Sequence, residues 1–120
     1  MSSIQTLVQR YIDLWNETGA ETRRAKLDAI FAEDCSYTDP NIVCVGRDAI
    51  DGYIGAVQKQ FAGVSFRIAG NVDAHHDVAR FTWHAKAGGA GEALAIGFDT
   101  AVTDGGRIKE IVGFLDKVPG

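Results

Sequence analysis

The sequence predicts an α+β domain in which helices come first and an antiparallel sheet comes last. Apolar residues recur with the period of a helix up to Gly63, and with the alternating period of a strand after it. Asp104-Gly105-Gly106 then supplies a hairpin turn between the last two strand-like segments. The expected architecture is three helices packed on one face of a curved, mostly antiparallel sheet, with a hollow between the two layers.

The three helices follow from the spacing of their apolar residues. The first covers residues 4–15, whose apolar side chains form one stripe along the helix. Gly19 interrupts that pattern, and a second helix is predicted over residues 22–32. The third follows Gly46 and carries an apolar stripe over residues 50–61. We expect all three stripes to face the sheet.

Strands are predicted between the second and third helices and again after the third helix. Residues 35–39 form a short strand that ends at Asp39, because Pro40 favours an extended residue before it and cannot continue a hydrogen-bonded ladder. Four further strands form an antiparallel meander. They cover about residues 64–70, 77–86, 93–103 and 107–115.

Length and composition are those of one globular domain spanning residues 1–120. The net charge of −4 argues against a nucleic-acid partner, since such proteins usually carry a basic stripe. No apolar run approaches the about 20 residues that span a bilayer, so no membrane partner is expected. The first residues lack the layout of a secretion signal, and Cys35 and Cys44 match no metal-ligand spacing. We therefore expect a cytoplasmic protein with reduced thiols.

The strand over residues 93–103 can face the helices with either of its two sides. If Trp83 pairs with Gly97, Asp99 lies opposite Phe81 and points into the hollow. If the register slips by one residue, Ile96 faces Trp83 and Asp99 turns to the other side. The first register is favoured because a bulky aromatic ring fits opposite a glycine.

The favoured register also predicts an apolar outer sheet face. Leu94, Ile96 and Phe98 would cover that face. An apolar surface of this kind needs a cover, most simply a second subunit, so we expect a homodimer through the outer face of the sheet.

Three side chains are candidates for proton-transfer chemistry in the hollow. Asp39 would be a general base that removes a proton next to a carbonyl, or else a turn residue before Pro40. Tyr11 would donate a hydrogen bond to an oxyanion, or else be a core aromatic. Asp99 would be a neutral acid that donates a hydrogen bond to an enolate, or else an outward-facing aspartate on a wet sheet face.

Further side chains are expected to shape an apolar pocket that holds no cofactor. His76 would lie at its mouth as a proton carrier, and it is not expected to bind a metal with His75, because adjacent residues on a strand point to opposite faces. The expected pocket residues are Trp15, Tyr37, Tyr53, Phe66, His76, Phe81 and Trp83.

At this level the chain resembles the SnoaL-like branch of the nuclear transport factor 2-like superfamily over essentially its whole length. Segments 8–11, 31–40 and 95–99 are similar to the parts of ketosteroid isomerase that carry its oxyanion-hole tyrosine, its base and its protonated aspartic acid. The resemblance implies a cone-shaped fold and assigns these roles to Tyr11, Asp39 and Asp99. One departure is that Tyr53 lies one position from the place of the isomerase's supporting tyrosine, which Ile54 occupies.

The residues and the resemblance together favour an enzyme that acts on a carbonyl carbon acid. Its reaction would be an isomerisation or an aldol-type cyclisation of an apolar, polyketide-like or steroid-like molecule. The alternative is a protein of the same fold without catalysis, either a module that binds an apolar ligand in the hollow or one that binds a partner through the outer sheet face.

Overall fold

The computed structural model describes residues 3–88 and 91–119. They form three helices packed on a six-stranded sheet, as the sequence predicts. The helices are α1 (Ile4–Leu14), α2 (Ala20–Ile30) and α3 (Arg47–Gln60), and the strands are β1 (Phe31–Asp39), β2 (Ile42–Val45), β3 (Val64–His75), β4 (Val78–Ala87), β5 (Ala95–Asp104) and β6 (Arg107–Lys117).

A side-chain cap sets the start of α1, and a change of backbone conformation sets the end of α2. The hydroxyl of Ser3 accepts a hydrogen bond from the backbone N–H of Thr6 and so caps the start of α1. Helix α2 ends at Ile30, slightly earlier than predicted, because Phe31 already has the extended backbone of β1. Among the described residues, no helix combines the length and the apolar character needed to cross a membrane.

The sheet has the strand order β2-β1-β6-β5-β4-β3, in which only the β1–β6 pair is parallel. Strands β3 to β6 form the predicted antiparallel meander. Strand β2 was not expected from the sequence. Its four residues pair with the end of β1 and bury Cys44, whereas Val43 and Val45 stay exposed, so its extended form depends on that pairing.

The register between β4 and β5 is the predicted one. Trp83 lies opposite Gly97, and Phe81 lies opposite Asp99. The indole of Trp83 covers Gly97 so closely that a Cβ atom at that position would lie 2.1 Å from the ring. The glycine therefore allows the contact that turns Asp99 toward the helices.

A buried polar cluster joins the three helices. The Arg23 guanidinium donates to Asp51 at 2.8 Å and to Gln58 at 2.7 Å, which connects α2 with α3. The Gln58 amide in turn donates to the carbonyls of Trp15 and Glu17 just after α1. These bonds satisfy free carbonyls at the end of α1 and fix the backbone of Trp15.

The outer sheet face carries apolar side chains near its centre. Phe98 lies opposite Phe114, and Phe114 remains 54% exposed. Val43 and Val45, on the same face of β2, are more exposed still. This patch agrees with the predicted apolar outer face for Phe98.

We predict opposite effects for two glycine-to-alanine substitutions. Gly97→Ala should destabilise the protein by about 1–3 kcal/mol, because the new methyl group overlaps the Trp83 indole. Gly52→Ala, at an exposed position of α3 with free space around it, should instead stabilise by about 0.5–1 kcal/mol. Urea unfolding of both variants measures the difference. Equal stability of the two variants would contradict the close contact at Gly97.

Candidate functional site

A cavity of about 300 Å³ lies between the helices and the sheet. Tyr11, Asp39 and Asp99, the three candidates for proton transfer, all contribute to its lining. Most of the remaining surface is apolar. Its aromatic lining consists of Trp15, Tyr37, Tyr53, Phe61, Phe66 and Trp83.

Two of the expected pocket residues lie elsewhere. Phe81 is fully buried and packs edge-on against Tyr11, with ring centroids 6.2 Å apart, so it supports the cavity from behind instead of lining it. His76 is exposed in the turn between β3 and β4, whereas the cavity lies at the other end of β4, near Ala85. The expectation that His76 lies at the pocket mouth therefore does not match its position, because the β3–β4 hairpin carries it away.

His75 and His76 contact each other at the end of β3 and in the turn that follows it. Their Nδ1 atoms are 3.0 Å apart, and His76 has a positive φ of 51°. Within residues 3–88 and 91–119, no group of three or more potential metal ligands comes together.

Leu94 also differs from its expected position. It lines the cavity next to Ala95 instead of lying on the outer sheet face. The reason is that β5 begins only at Ala95, so the alternation of the strand does not extend to Leu94. Its backbone N–H still donates to the carbonyl of Ala85, which keeps this segment beside β4.

Asp39 accepts three hydrogen bonds at the end of β1. The hydroxyls of Tyr37 and Tyr53 donate to Oδ2 at 2.6 and 2.8 Å, and the backbone N–H of Asn41 donates to Oδ1 at 2.8 Å. Burial raises the pKa of both tyrosines, and the bond to Asp39 raises it further. The tyrosines therefore stay protonated and act as donors to the carboxylate. The sequence placed both of them in the pocket but did not predict this arrangement.

Asp99 has a very different environment on β5. It is 3% exposed, and the Trp83 indole N–H donates to its Oδ1 at 3.1 Å. Burial raises the pKa of Asp99 from 3.8 to about 7, and the charge of Asp39 contributes to the increase. Hydrogen bonding from Trp83 and the nearby Tyr11 hydroxyl opposes it. Near neutral pH, Asp99 is thus poised between its acid and its carboxylate.

Tyr11 reaches the cavity from the buried face of α1. Its ring packs edge-on against Trp15, Phe31 and Phe81, at centroid distances of 6.0–6.4 Å. Burial first, and the charge of Asp99 second, raise the pKa of its hydroxyl well above the usual value. Tyr11 is therefore a neutral hydrogen-bond donor at any pH near neutrality.

Gly113 lies between the two carboxyl groups on β6. It pairs with Asp99 of β5, and a Cβ atom there would lie 2.8 Å from Asp99 Oδ1 and 3.6 Å from Asp39 Cβ. The missing side chain makes room above the sheet for the Asp99 carboxyl group, close to the side chain of Asp39. Sequence reasoning missed this residue, although a glycine inside a strand often marks a close approach.

A family model and a solved structure that resemble this chain both belong to the same family. The SnoaL-like domain model matches residues 8–111. A solved structure from Agrobacterium tumefaciens, provisionally assigned as an isomerase of the SnoaL-like family, is 35% identical, covers 93% of this chain and 96% of its own, and superimposes with a TM-score of 0.88.

More distant structures share the fold alone. A protein of Jannaschia, provisionally assigned as a SnoaL-like polyketide cyclase, is 12% identical over 92% of this chain and 85% of its own, with a TM-score of 0.72. A protein of Kribbella flavida, provisionally assigned as a ketosteroid isomerase, is 16% identical over 95% of this chain and 78% of its own, with a TM-score of 0.70. No curated protein matches the chain.

The raised pKa of Asp99 predicts a defined pH dependence of stability. Between about pH 4 and about pH 7 the unfolded chain loses the Asp99 proton while the folded protein keeps it, so stability falls as pH rises through this window. The ionisation of Asp99 can lower the free energy of unfolding by no more than about 1.4 kcal/mol for each pH unit. Denaturant unfolding of the wild type and of Asp99→Asn should show the variant gaining stability relative to the wild type across that window. A constant difference would show that Asp99 ionises normally.

Proposed function

The chain belongs to the SnoaL-like family, and on this premise we propose that it catalyses proton transfer on an apolar carbonyl compound. The observation that carries the proposal is that two carboxyl groups with unequal surroundings and the phenol of Tyr11 border the same apolar cavity. Sites that run acid and base chemistry together use such pairs, because different environments hold one carboxyl group ionised and the other neutral.

The proposed reaction begins at Asp39. Its carboxylate removes a proton from the carbon next to the carbonyl, and the electron pair of the broken C–H bond moves to the carbonyl oxygen. Tyr11 and the protonated form of Asp99 stabilise the resulting enolate by donating hydrogen bonds to that oxygen. If the substrate has a double bond conjugated with the enolate, return of the proton from Asp39 to the far carbon of that double bond gives an isomer. If the enolate instead attacks a second carbonyl of the same molecule, a ring closes and the proton on Asp39 passes to the new alkoxide oxygen.

The lining of the cavity favours an apolar substrate with one reactive polar end. Aromatic rings surround most of the space, and the groups that can donate or accept a proton lie on one side of it. A volume of about 300 Å³ suits a compact ring system. Polyketide-like and steroid-like ketones have this chemistry, which agrees with the assignments of the Jannaschia and Kribbella flavida proteins.

A second candidate function is binding without catalysis. It is favoured by the three hydrogen bonds that Asp39 already accepts, because a carboxylate with so many partners also serves as a fixed polar anchor in an apolar site. Such a module would bind an apolar ketone or alcohol and release it unchanged.

We predict that Asp39→Asn abolishes proton transfer while the protein stays folded. The probe is 2-tetralone, an apolar bicyclic ketone, and the measurement is exchange of its α-protons for deuterium, followed by NMR. The loss should be at least about 100-fold, as is typical when a general base is removed. Asp73→Asn is the matched control, because Asp73 is an exposed aspartate on β3 that pairs with Arg80 away from the cavity.

Two results would contradict the enzymatic proposal. Exchange by Asp39→Asn at the wild-type rate would remove Asp39 from the role of base. Binding of 2-tetralone by the wild type without any exchange above the rate in buffer would favour the binding module instead.

We also propose that a second copy of the chain covers the apolar outer face of the sheet. Phe98, Phe114 and Val112 lie side by side on β5 and β6, on the face opposite the helices. An exposed apolar surface on a flat sheet is typical of a subunit interface.

The dimer is tested by Phe114→Lys, which places a charge in the centre of this face. The molar mass from light scattering should fall from twice the chain mass to the chain mass. Val118→Lys, which changes a similarly exposed residue at the cavity, should leave the dimer intact. A monomeric wild-type protein would overturn the proposal.

A further inference from the structure

We propose that Tyr37 and Tyr53 are positioning residues that occupy one oxygen of the Asp39 carboxylate and leave Oδ1 to take the proton. The inference rests on the proposed role of Asp39 as the base. Each oxygen of a carboxylate has about two lone-pair sites for hydrogen bonds. The two tyrosine hydroxyls fill those of Oδ2, whereas Oδ1 accepts only the N–H of Asn41 and keeps one site.

The direction of these bonds follows from the state of the tyrosines. Both hydroxyls sit in low-polarity surroundings, so they keep their protons, and burial raises the pKa of each. Both bonds therefore run from phenol to carboxylate, and the 2.6 Å bond from Tyr37 has the short distance of a charge-assisted hydrogen bond, whereas the bond from Tyr53 is 2.8 Å long. They stabilise the ionised form of Asp39, which is the form a base requires.

Aromatic packing holds the two hydroxyls in place. The ring centroids of Tyr37 and Tyr53 are 5.5 Å apart, and each lies 6.0 Å from Trp15. Tyr37 projects from β1, Tyr53 from α3 and Trp15 from the end of α1, where Gln58 binds its carbonyl. Three elements thus fix the plane of the carboxylate, and Oδ2 cannot easily exchange its position with Oδ1.

The remaining titratable groups that face Asp39 act on it differently. Besides burial, the negative charge of Asp39 raises the pKa of three neighbouring groups: Tyr11 of α1, Cys44 of β2 and Asp99 of β5. Among the described residues, none of the three forms a hydrogen bond with Asp39. Removing the Tyr11 hydroxyl therefore leaves the hydrogen bonds of Asp39 in place. This makes Tyr11→Phe a matched control, since it deletes a phenol hydroxyl from the same cavity.

The free lone-pair site on Oδ1 determines which carboxylate oxygen takes the substrate proton. When the substrate C–H bond breaks, the proton bonds to Oδ1 and the electron pair moves toward the carbonyl oxygen. Tyr37 and Tyr53 keep their own protons throughout and continue to donate to Oδ2. Return of the proton from Oδ1 to the product restores the carboxylate.

The first experiment observes the Asp39 carboxyl carbon by ¹³C NMR in the ligand-free protein at one pH near neutrality. Tyr37→Phe and Tyr53→Phe should each change its chemical shift, because each removes a hydrogen bond to the carboxyl group. The double variant should move it further. Tyr11→Phe should move it much less.

The second experiment follows α-proton exchange of 2-tetralone across pH. In Tyr37→Phe and Tyr53→Phe, the rate of exchange should fall at every pH tested. At high pH, kcat should fall while KM changes little, because the carboxylate is less well oriented.

The two experiments separate the possible failures. If the wild type exchanges deuterium but the carboxyl chemical shift is unchanged in both tyrosine variants, the positioning role is overturned and the proposed function stays intact. If the chemical shift changes in the variants but the wild type exchanges no deuterium, the tyrosines hold Asp39 for ligand binding, which overturns both the base and its positioning.

Discussion

Trp83 lies over Gly97 and donates its indole N–H to Asp99, and the position of the acid in this cavity follows from that contact. A side chain at position 97 would overlap the indole, so the ring has room only above a glycine. Pairing of Trp83 with Gly97 places Asp99 opposite Phe81, on the face that meets the helices. A slip of one residue would turn the whole set outward. The same contact therefore determines the strand register, the burial of Asp99 and its polar partner.

The two carboxyl groups acquire different properties from their different partners. Asp99 is buried with one indole N–H, and the cost of burying its charge raises its pKa to about 7. Asp39, at the end of β1, has three donors that favour its ionised form. Gly113 lies between them, so both can face the same small volume without a side chain in the way. Two carboxyl groups with different hydrogen-bond partners thus lie side by side as a result of local packing.

The sequence predicts those features that depend on periodicity and on single bulky or small residues. The apolar stripe of α1 identifies Tyr11 as buried, and the pairing of Trp83 with Gly97 gives the register. It does not predict contacts that depend on how separate elements pack. The Tyr53 hydroxyl reaches Asp39 because α3 packs against β1, and no local sequence pattern predicts how these two elements pack. Two of the three misplaced residues, His76 and Leu94, lie just beyond strand ends, where alternation no longer fixes a direction, and the third, Phe81, lies behind the cavity within β4.

The position of Tyr53 also changes how the resemblance to ketosteroid isomerase applies. One step along a helix rotates a side chain by about 100°, so a tyrosine at position 53 instead of 54 points to a different target. Ile54 is fully buried, whereas the Tyr53 hydroxyl donates to Asp39. The rings packed edge-on against Tyr11 belong to Trp15, Phe31 and Phe81, so its ring rests among aromatic edges. In the proposed reaction, the phenols of Tyr37 and Tyr53 would support Asp39 as the base, and stabilisation of an enolate would rest more heavily on Asp99 and the indole that orients it.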